Sequence, residues 1–282
     1  MAIDPSRSRE VHVDPVWSRI REEAAKLAAT EPLMASVVHA VILNHQTLED
    51  ALSYRIAEKL ASAEMPALLM RELCQMAFQD RPEIGVAARA DIIAVYERDP
   101  FCDRYLQPLM YFKGFIALQT HRVAHWLWDD GRRDLAMFIQ MRSSELFAID
   151  INPAARIGRG IMIDHAHGLV IGETAVVGND VSMLHAVTLG GTGKEGGDRH
   201  PKIGDGVLIG AGAKVLGNIS VGKCSRIAAG SVVLKDIPPY KTVAGVPAKI
   251  VGEAGCERPS HTMNHLTGMF APEDPEDIVP DC

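Results

Sequence analysis

His165, in the run Asp164-His165-Ala166-His167-Gly168, is by type the residue best suited to move a proton near neutral pH. A histidine that deprotonates a hydroxyl needs its far ring nitrogen held by an acceptor, and a carboxylate does this while stabilising the imidazolium. Asp150, fifteen residues earlier, is such a carboxylate. Each has a plainer alternative: His165 as a polar side chain on an outward face, Asp150 as a cap or corner. Arg199 and His200 close the segment Gly190-Gly191-Thr192-Gly193-Lys194-Glu195-Gly196-Gly197-Asp198-Arg199-His200-Pro201. The guanidinium fork suits a carboxylate, and a solvated loop pair is the alternative. Asp99, in Arg98-Asp99-Pro100, reads as a helix cap. The glycines do not form a phosphate cradle, because neither the G-x-x-x-x-G-K-[S/T] spacing nor a following helix is present. Lys235, Lys241 and Lys249 read as solvated charges or phosphate contacts.

These residues must be positioned by a repeat. Ile203, Ile209, Val215, Val221, Ile227 and Val233 recur every six residues, after two shorter frames, Ile151, Ile157, Ile163, Leu169 and Ile171, Val177, Met183, Leu189. A period of six fits neither a helix nor simple strand alternation. It predicts a parallel β-helix of hexapeptide repeats, each coil stacking on the next and filling the core with one aliphatic side chain per face. Two irregularities interrupt it: a two-residue slip between Leu169 and Ile171, beside His165, and a gap of fourteen between Leu189 and Ile203. A stack can eject such a gap as an external loop, and loops of this kind often carry the binding face. His165, His167, His185 and His200 all fall in this region. Imidazoles meeting between stacked coils of neighbouring subunits hold zinc in the γ-class carbonic anhydrases, so a metal is the second reading. The spacing does not compel it, and the first reading has no metal.

The first half is helical instead, rich in Ala, Leu, Glu and Arg. Asp14-Pro15 starts one helix. Thr47 caps another with a stripe at Leu48, Leu52, Ile56 and Leu60. Pro66, Pro82, Pro100 and Pro108 mark helix starts or breaks. Long helices are expected over 109–128 and 133–147. The organisation predicted is α+β: a flexible arm over 1–14, a helical domain over 15–147, a β-helix over 148–252 with an inserted loop at 190–202, and an acidic, mostly disordered tail over 253–282.

The chain has 282 residues, 47% hydrophobic, enough for two domains. A formal net charge of −7 argues against non-specific nucleic-acid binding. No apolar run is long enough for a bilayer, and the polar start is no secretory signal. Five scattered cysteines without a C-x-x-C pair fit a reducing cytoplasm rather than a disulfide framework.

The run from Asp150 to His165 resembles that of the bacterial serine O-acetyltransferase family. So do Val187-Thr188-Leu189-Gly190-Gly191-Thr192-Gly193-Lys194, Gly197-Asp198-Arg199-His200-Pro201 and Ala244-Gly245-Val246-Pro247-Ala248-Lys249. In the helical half the resemblance is carried by Arg98-Asp99-Pro100, Lys113-Gly114-Phe115, His125-Trp126-Leu127-Trp128 and Gly131-Arg132-Arg133. It spans nearly everything from about residue 15 to Gly252.

The resemblance implies a left-handed β-helix and acetyl transfer from acetyl-CoA, as co-substrate, to the hydroxyl of L-serine. No permanently bound cofactor is implied. It makes His165 the general base and Asp150 its partner. Asp99 and Asp164 would hold the serine ammonium, Arg199 its carboxylate, and His200 would line the pocket. Gly191, Thr192, Ala211, Gly212 and Ala229 would form the CoA groove, with Arg226 and Lys249 at its nucleotide end. It further implies inhibition by L-cysteine at the serine site, and a trimer or a dimer of trimers joined through the helical halves. Cysteine synthase is implied as a partner of the C-terminal tail. In that family the last residue is often Ile, whereas this chain ends Ile278-Val279-Pro280-Asp281-Cys282, which departs from the docking pattern.

Overall fold

Helix formation begins where Asp14 caps it. In the computed structural model, which describes residues 14–193 and 196–265, Asp14 Oδ1 accepts from the backbone N–H groups of Val16 and Trp17, both at 3.1 Å. Helix α1 (Pro15–Thr30) follows, then α2 (Pro32–Val38), which runs into a π-helical turn at His39–Leu43. Thr47 Oγ1 accepts from Asp50 N to cap α3 (Leu48–Leu60), which buries the expected stripe. Helices α4 (Ala67–Asp80) and α5 (Glu83–Arg98) start directly after Pro66 and Pro82. The single helix expected over 109–128 is instead two, α6 (Leu106–Tyr111) and α7 (Lys113–Asp129). Phe112 is extended between them, which sets the start of α7 against the second domain. A Cβ on Gly114 would lie 2.3 Å from the carbonyl oxygen of Ile163. Helix α8 (Arg133–Phe147) ends at Ala148 in the left-handed region and delivers the chain to the β-helix.

The six-residue beat becomes three parallel faces. Face A stacks Ile149–Ile151, Leu169–Ile171, Thr188–Gly190, Lys214–Leu216 and Val232–Val233. Face B stacks Arg156–Ile157, Val176–Val177, Lys202–Ile203 and Ser220–Val221. Face C stacks Met162–Ile163, Ser182–Met183, Leu208–Ile209, Arg226–Ile227 and Lys241–Gly245, with Ala248–Glu253 added antiparallel. From Ile171 on, each beat residue enters the core of its face: Ile171, Leu189, Val215 and Val233 on A, Val177, Ile203 and Val221 on B, Met183, Ile209 and Ile227 on C, all buried, while Ile157 of the first coil is half-buried. This is the architecture of the left-handed hexapeptide β-helix.

Both irregularities fall at edges of face A. Eight residues separate Ile163 from Ile171, where six separate Met183 from Leu189. The extra two widen the turn from face C to face A, in which His165, Ala166 and Gly168 all take positive φ. The fourteen-residue gap lies at the turn from face A to face B.

A buried ionic clamp joins the two domains. Asp91 of α5, fully buried, accepts from Arg122 Nη2 (2.7 Å) and Gln119 Nε2 (3.0 Å) of α7 and from the backbone N–H of Ile161 (2.9 Å). Arg122 in turn donates to the carbonyls of Ile157 and Gly158. Removing one partner of a buried pair strands the other charge, at about 3–5 kcal/mol. Asp91→Ala is expected to lower stability by that order, read as a fall in the urea midpoint, with Asp91→Asn closer to the parent.

The tail expectation needs correction between 253 and 265. Ala254, Pro259 and Ser260 are buried, and a short helix, α9 (Pro259–Thr262), packs along face C. Ser260 O accepts from Ser182 Oγ at 2.8 Å, and Met263 packs against Val95, Cys102 and Met162. Local composition predicts no periodicity there because these contacts are made with distant segments. Residues 1–13 of the expected arm and 266–282 of the expected tail lie outside the described residues. Among the described residues no helix is long and apolar enough to cross a membrane.

Candidate active site

The widened turn from face C to face A presents His165 to solvent, its side chain 73% exposed. Its Nε2 lies 3.7 Å from Asp164 Oδ2, and its ring meets that of His185 edge-on, centroids 5.8 Å apart. His185 sits one coil further along the same edge, where Ala186 N donates to His167 O. A cavity of about 510 Å³ opens beside this turn. It brings together Asp99, Asp164 and His165 with Lys113 and apolar walls that include Val95, Phe112 and Met162. Asp99 is the C-cap of α5, directly after its last residue, and its Oδ1 accepts from Phe101 N at 2.9 Å. The cap expected of Asp99 is therefore a turn beyond a helix C-terminus. Two carboxylates and an imidazole at one apolar cavity suit a small cation carrying a hydroxyl.

Asp150 is not among the residues lining this cavity. It lies in the first strand of face A, and its Oδ1 accepts from Gln140 Nε2 of α8. Within the chain, the carboxylate that pairs with His165 is Asp164.

Further along the His165 edge the turns contain only small residues. Gly212 N donates to His185 O, and Gly230 N to Ala211 O, so Ala211, Gly212 and Ala229 continue the same edge on the next two coils. Arg226 is a buried side chain of face C, its Nη2 4.0 Å from Cys256 Sγ. Lys249 lies in the final antiparallel strand, opposite Ala244. His265 was not anticipated from sequence. Burial, followed by the Arg226 charge, lowers the His265 pKa, against an opposing effect of Asp164.

Arg199 and His200 sit elsewhere, at the opposite edge of face A. Thr174 Oγ1 accepts from the backbone N–H groups of both (3.0 and 3.1 Å). Thr174 N donates to His200 Nδ1 at 3.2 Å, and Thr174 Oγ1 lies 2.9 Å from the same nitrogen. The His200 proton therefore resides on Nε2. Burial, followed by the Arg199 charge, lowers the His200 pKa and favours this neutral form. Arg199 pairs with Glu173. Gly191 lies against Arg199, and Thr192 lies over Gly217. Sequence reasoning passed over Glu173 and Thr174; their signal is the register that places Gly172–Val177 beneath the inserted loop.

The chain thus places Asp99, Asp164 and His165 at one end of the face A strands and Arg199 and His200 at the other. A three-residue strand of about 10 Å separates them, before the turns are added. The four histidines divide likewise: His165 faces His185, His167 Nδ1 lies 3.3 Å from Lys113 Nζ, and His200 is on the far edge. Among the described residues no group of three or more His, Cys, Asp or Glu is arranged to hold a metal ion.

Comparison with known proteins gives a consistent picture. Residues 16–120 match the family model "Serine acetyltransferase, N-terminal", and 200–235 match "Bacterial transferase hexapeptide (six repeats)". The chain is 56% identical over 255 residues to the serine acetyltransferase of Escherichia coli strain K12, covering 90% of this chain and 93% of the relative. A serine acetyltransferase from Brucella abortus strain S19, solved with coenzyme A, is 56% identical and aligns with a TM-score of 0.84 over 86% of this chain and 98% of that one. A serine acetyltransferase solved in complex with cysteine is 53% identical, with a TM-score of 0.88 over 89% and 98%.

Proposed function

The chain belongs to the serine acetyltransferase family, and we propose that it acetylates the hydroxyl of L-serine from acetyl-CoA with His165 as general base. The observation that carries the assignment is the convergence of Asp99, Asp164 and His165 at one cavity, on the edge whose later turns are built of small residues. Asp99 and Asp164 hold the serine ammonium, which brings the hydroxyl to His165. His165 takes the proton as the serine oxygen bonds to the thioester carbon. The carbon–sulfur bond then breaks, and the proton passes to the departing CoA thiolate. A positioned base of this kind contributes about 10²–10⁴ in rate. Ala211, Gly212 and Ala229 let the pantetheine arm lie against backbone, which aligns the acetyl group. Arg226 and Lys249 serve the nucleotide end. The product, O-acetyl-L-serine, serves cysteine synthesis in the cytoplasm.

The serine carboxylate needs Arg199, with His200 Nε2–H lining the same pocket. Since these lie across face A from His165, the complete site is assembled between copies of the chain. Gly191 and Thr192 would approach CoA from that second copy. A trimer supplies three such sites, and two trimers paired through their helical halves give a hexamer. Cysteine synthase docking would fall to the tail over 266–282.

The experiment that tests the reaction follows thioester loss from acetyl-CoA with and without L-serine; loss that does not depend on serine would count against it. L-cysteine carries the same ammonium and carboxylate, so it is expected to inhibit at this pocket and to be relieved by added serine. Inhibition indifferent to serine concentration would place cysteine elsewhere. Gly172 offers a sharper handle on His200, because a Cβ there would lie 2.0 Å from the ring. Gly172→Ala is expected to push His200 out and to lower kcat/KM for serine by about 10²-fold, the scale of a 1 Å misplacement. An unchanged kcat/KM would remove His200 from the pocket.

A further inference from the structure

We infer that Arg98 is the positioning residue that sets the gap between Asp99 and Asp164, and with it the affinity for serine; this rests on the ammonium site proposed above. Arg98 is the last residue of α5 and its side chain is 1% exposed. Nη1 donates to Gly160 O (3.0 Å) and Ser182 Oγ (3.1 Å), and Nη2 to Asp180 Oδ1 (3.3 Å). Nη2 also lies 3.2 Å from His261 Nε2 of α9.

The consequence lies in what flanks each end of this anchor. Asp99 follows Arg98 directly in the chain. Gly160 enters the strand Met162–Ile163, and Asp164 and His165 follow that strand at once. The two carboxylates of the ammonium site are thus carried by separate domains, and Arg98 ties those domains one residue from the first and four from the second. Ser182, the other Nη1 acceptor, lies in the next strand of the same face, so the fork is held by two coils. A lysine keeps the charge but has one nitrogen on a flexible stem and cannot span Gly160, Ser182 and Asp180 together. The small-residue groove for CoA lies on later coils, at Ala211, Gly212 and Ala229, away from α5.

The test is steady-state kinetics on Arg98→Lys and Ser182→Ala in the full-length protein, varying serine and acetyl-CoA separately. Arg98→Lys is expected to raise KM for serine roughly tenfold or more, with KM for acetyl-CoA little changed. Ser182→Ala, which removes one Arg98 acceptor together with the donor to Ser260 O and leaves Arg98 in place, is expected to raise serine KM by a smaller factor, and it alone decides the matter if Arg98→Lys does not fold. A merely structural role would lower kcat through loss of active protein and leave both KM values alone. That pattern, or parallel rises in both, would overturn the inference. The parent protein measured alongside separates the two proposals: serine-dependent turnover in the parent with unchanged serine KM in the variants defeats the role of Arg98 only. No such turnover in the parent defeats both.

Discussion

His165→Ala is expected to retain acetyl-CoA binding while kcat falls by about 10²–10⁴, the usual contribution of a general base. The serine hydroxyl is almost wholly protonated at neutral pH, so without a base the attacking oxygen carries its proton into the tetrahedral intermediate. The substitution should not unfold the chain, because His165 is exposed and its side chain fills no part of the core. Stopped-flow or endpoint measurement of free CoA release reads the loss, and CoA titration of the same variant confirms that the groove is intact. A variant within a few-fold of the parent would remove His165 from the chemistry. Asp150→Asn then separates two carboxylates. If Asp150 exchanges Gln140 for the His165 ring when substrates bind, kcat falls by orders of magnitude. If it serves Gln140 alone, turnover stays near the parent value and Asp164 is the only carboxylate acting on the ring.

The parts of this site that a sequence reveals are those built from local repetition. Ile203 through Val233 each occupy one face of one coil, so their spacing announces the β-helix, and the departures from it at 164–168 and 190–202 announce its two working edges. Asp14 and Thr47 are legible for the same reason, since each caps a helix that begins within three residues. Contacts that close over long separations leave no such mark. Arg98 meets Gly160 across 62 residues, and Asp91 meets Ile161 across 70. In sequence both are charged residues in a helix, indistinguishable from a solvated face. The break at Phe112 lies two residues before Gly114, whose close approach to Ile163 is likewise a contact across distant segments. Residues 254–265 look unstructured because their stabilising partners, Ser182, Met162 and Arg98, all lie outside the segment. Asp150 shows the converse: the family resemblance implies His165 as its partner, and within the chain its Oδ1 accepts from Gln140, ten residues before it on α8.

Mixing two inactive variants is expected to restore activity, because the groups proposed to act on serine, His165 and Arg199, lie on opposite edges of face A. Arg199→Ala removes the fork proposed to pair with the serine carboxylate. Truncating one partner of such a charge pair costs about 2–5 kcal/mol, or upwards of roughly thirtyfold in kcat/KM. His165→Ala is silenced through the base. When the two chains are co-expressed at equal levels, a site between neighbours draws His165 from one copy and Arg199 from the next. Each is intact with probability one half, so about one quarter of the sites in a randomly assembled ring are whole. The mixture should therefore regain roughly a quarter of the parent kcat, with the parent KM for serine, while each variant alone stays near background. Carrying both substitutions on one chain, co-expressed with the parent, gives the same quarter of intact sites and calibrates the statistics. If instead a single chain supplied both groups, every site in the first mixture would lack one of them and no activity would return. In the second mixture half of the sites would then survive, so the two experiments together separate a site built across copies from one built within a chain.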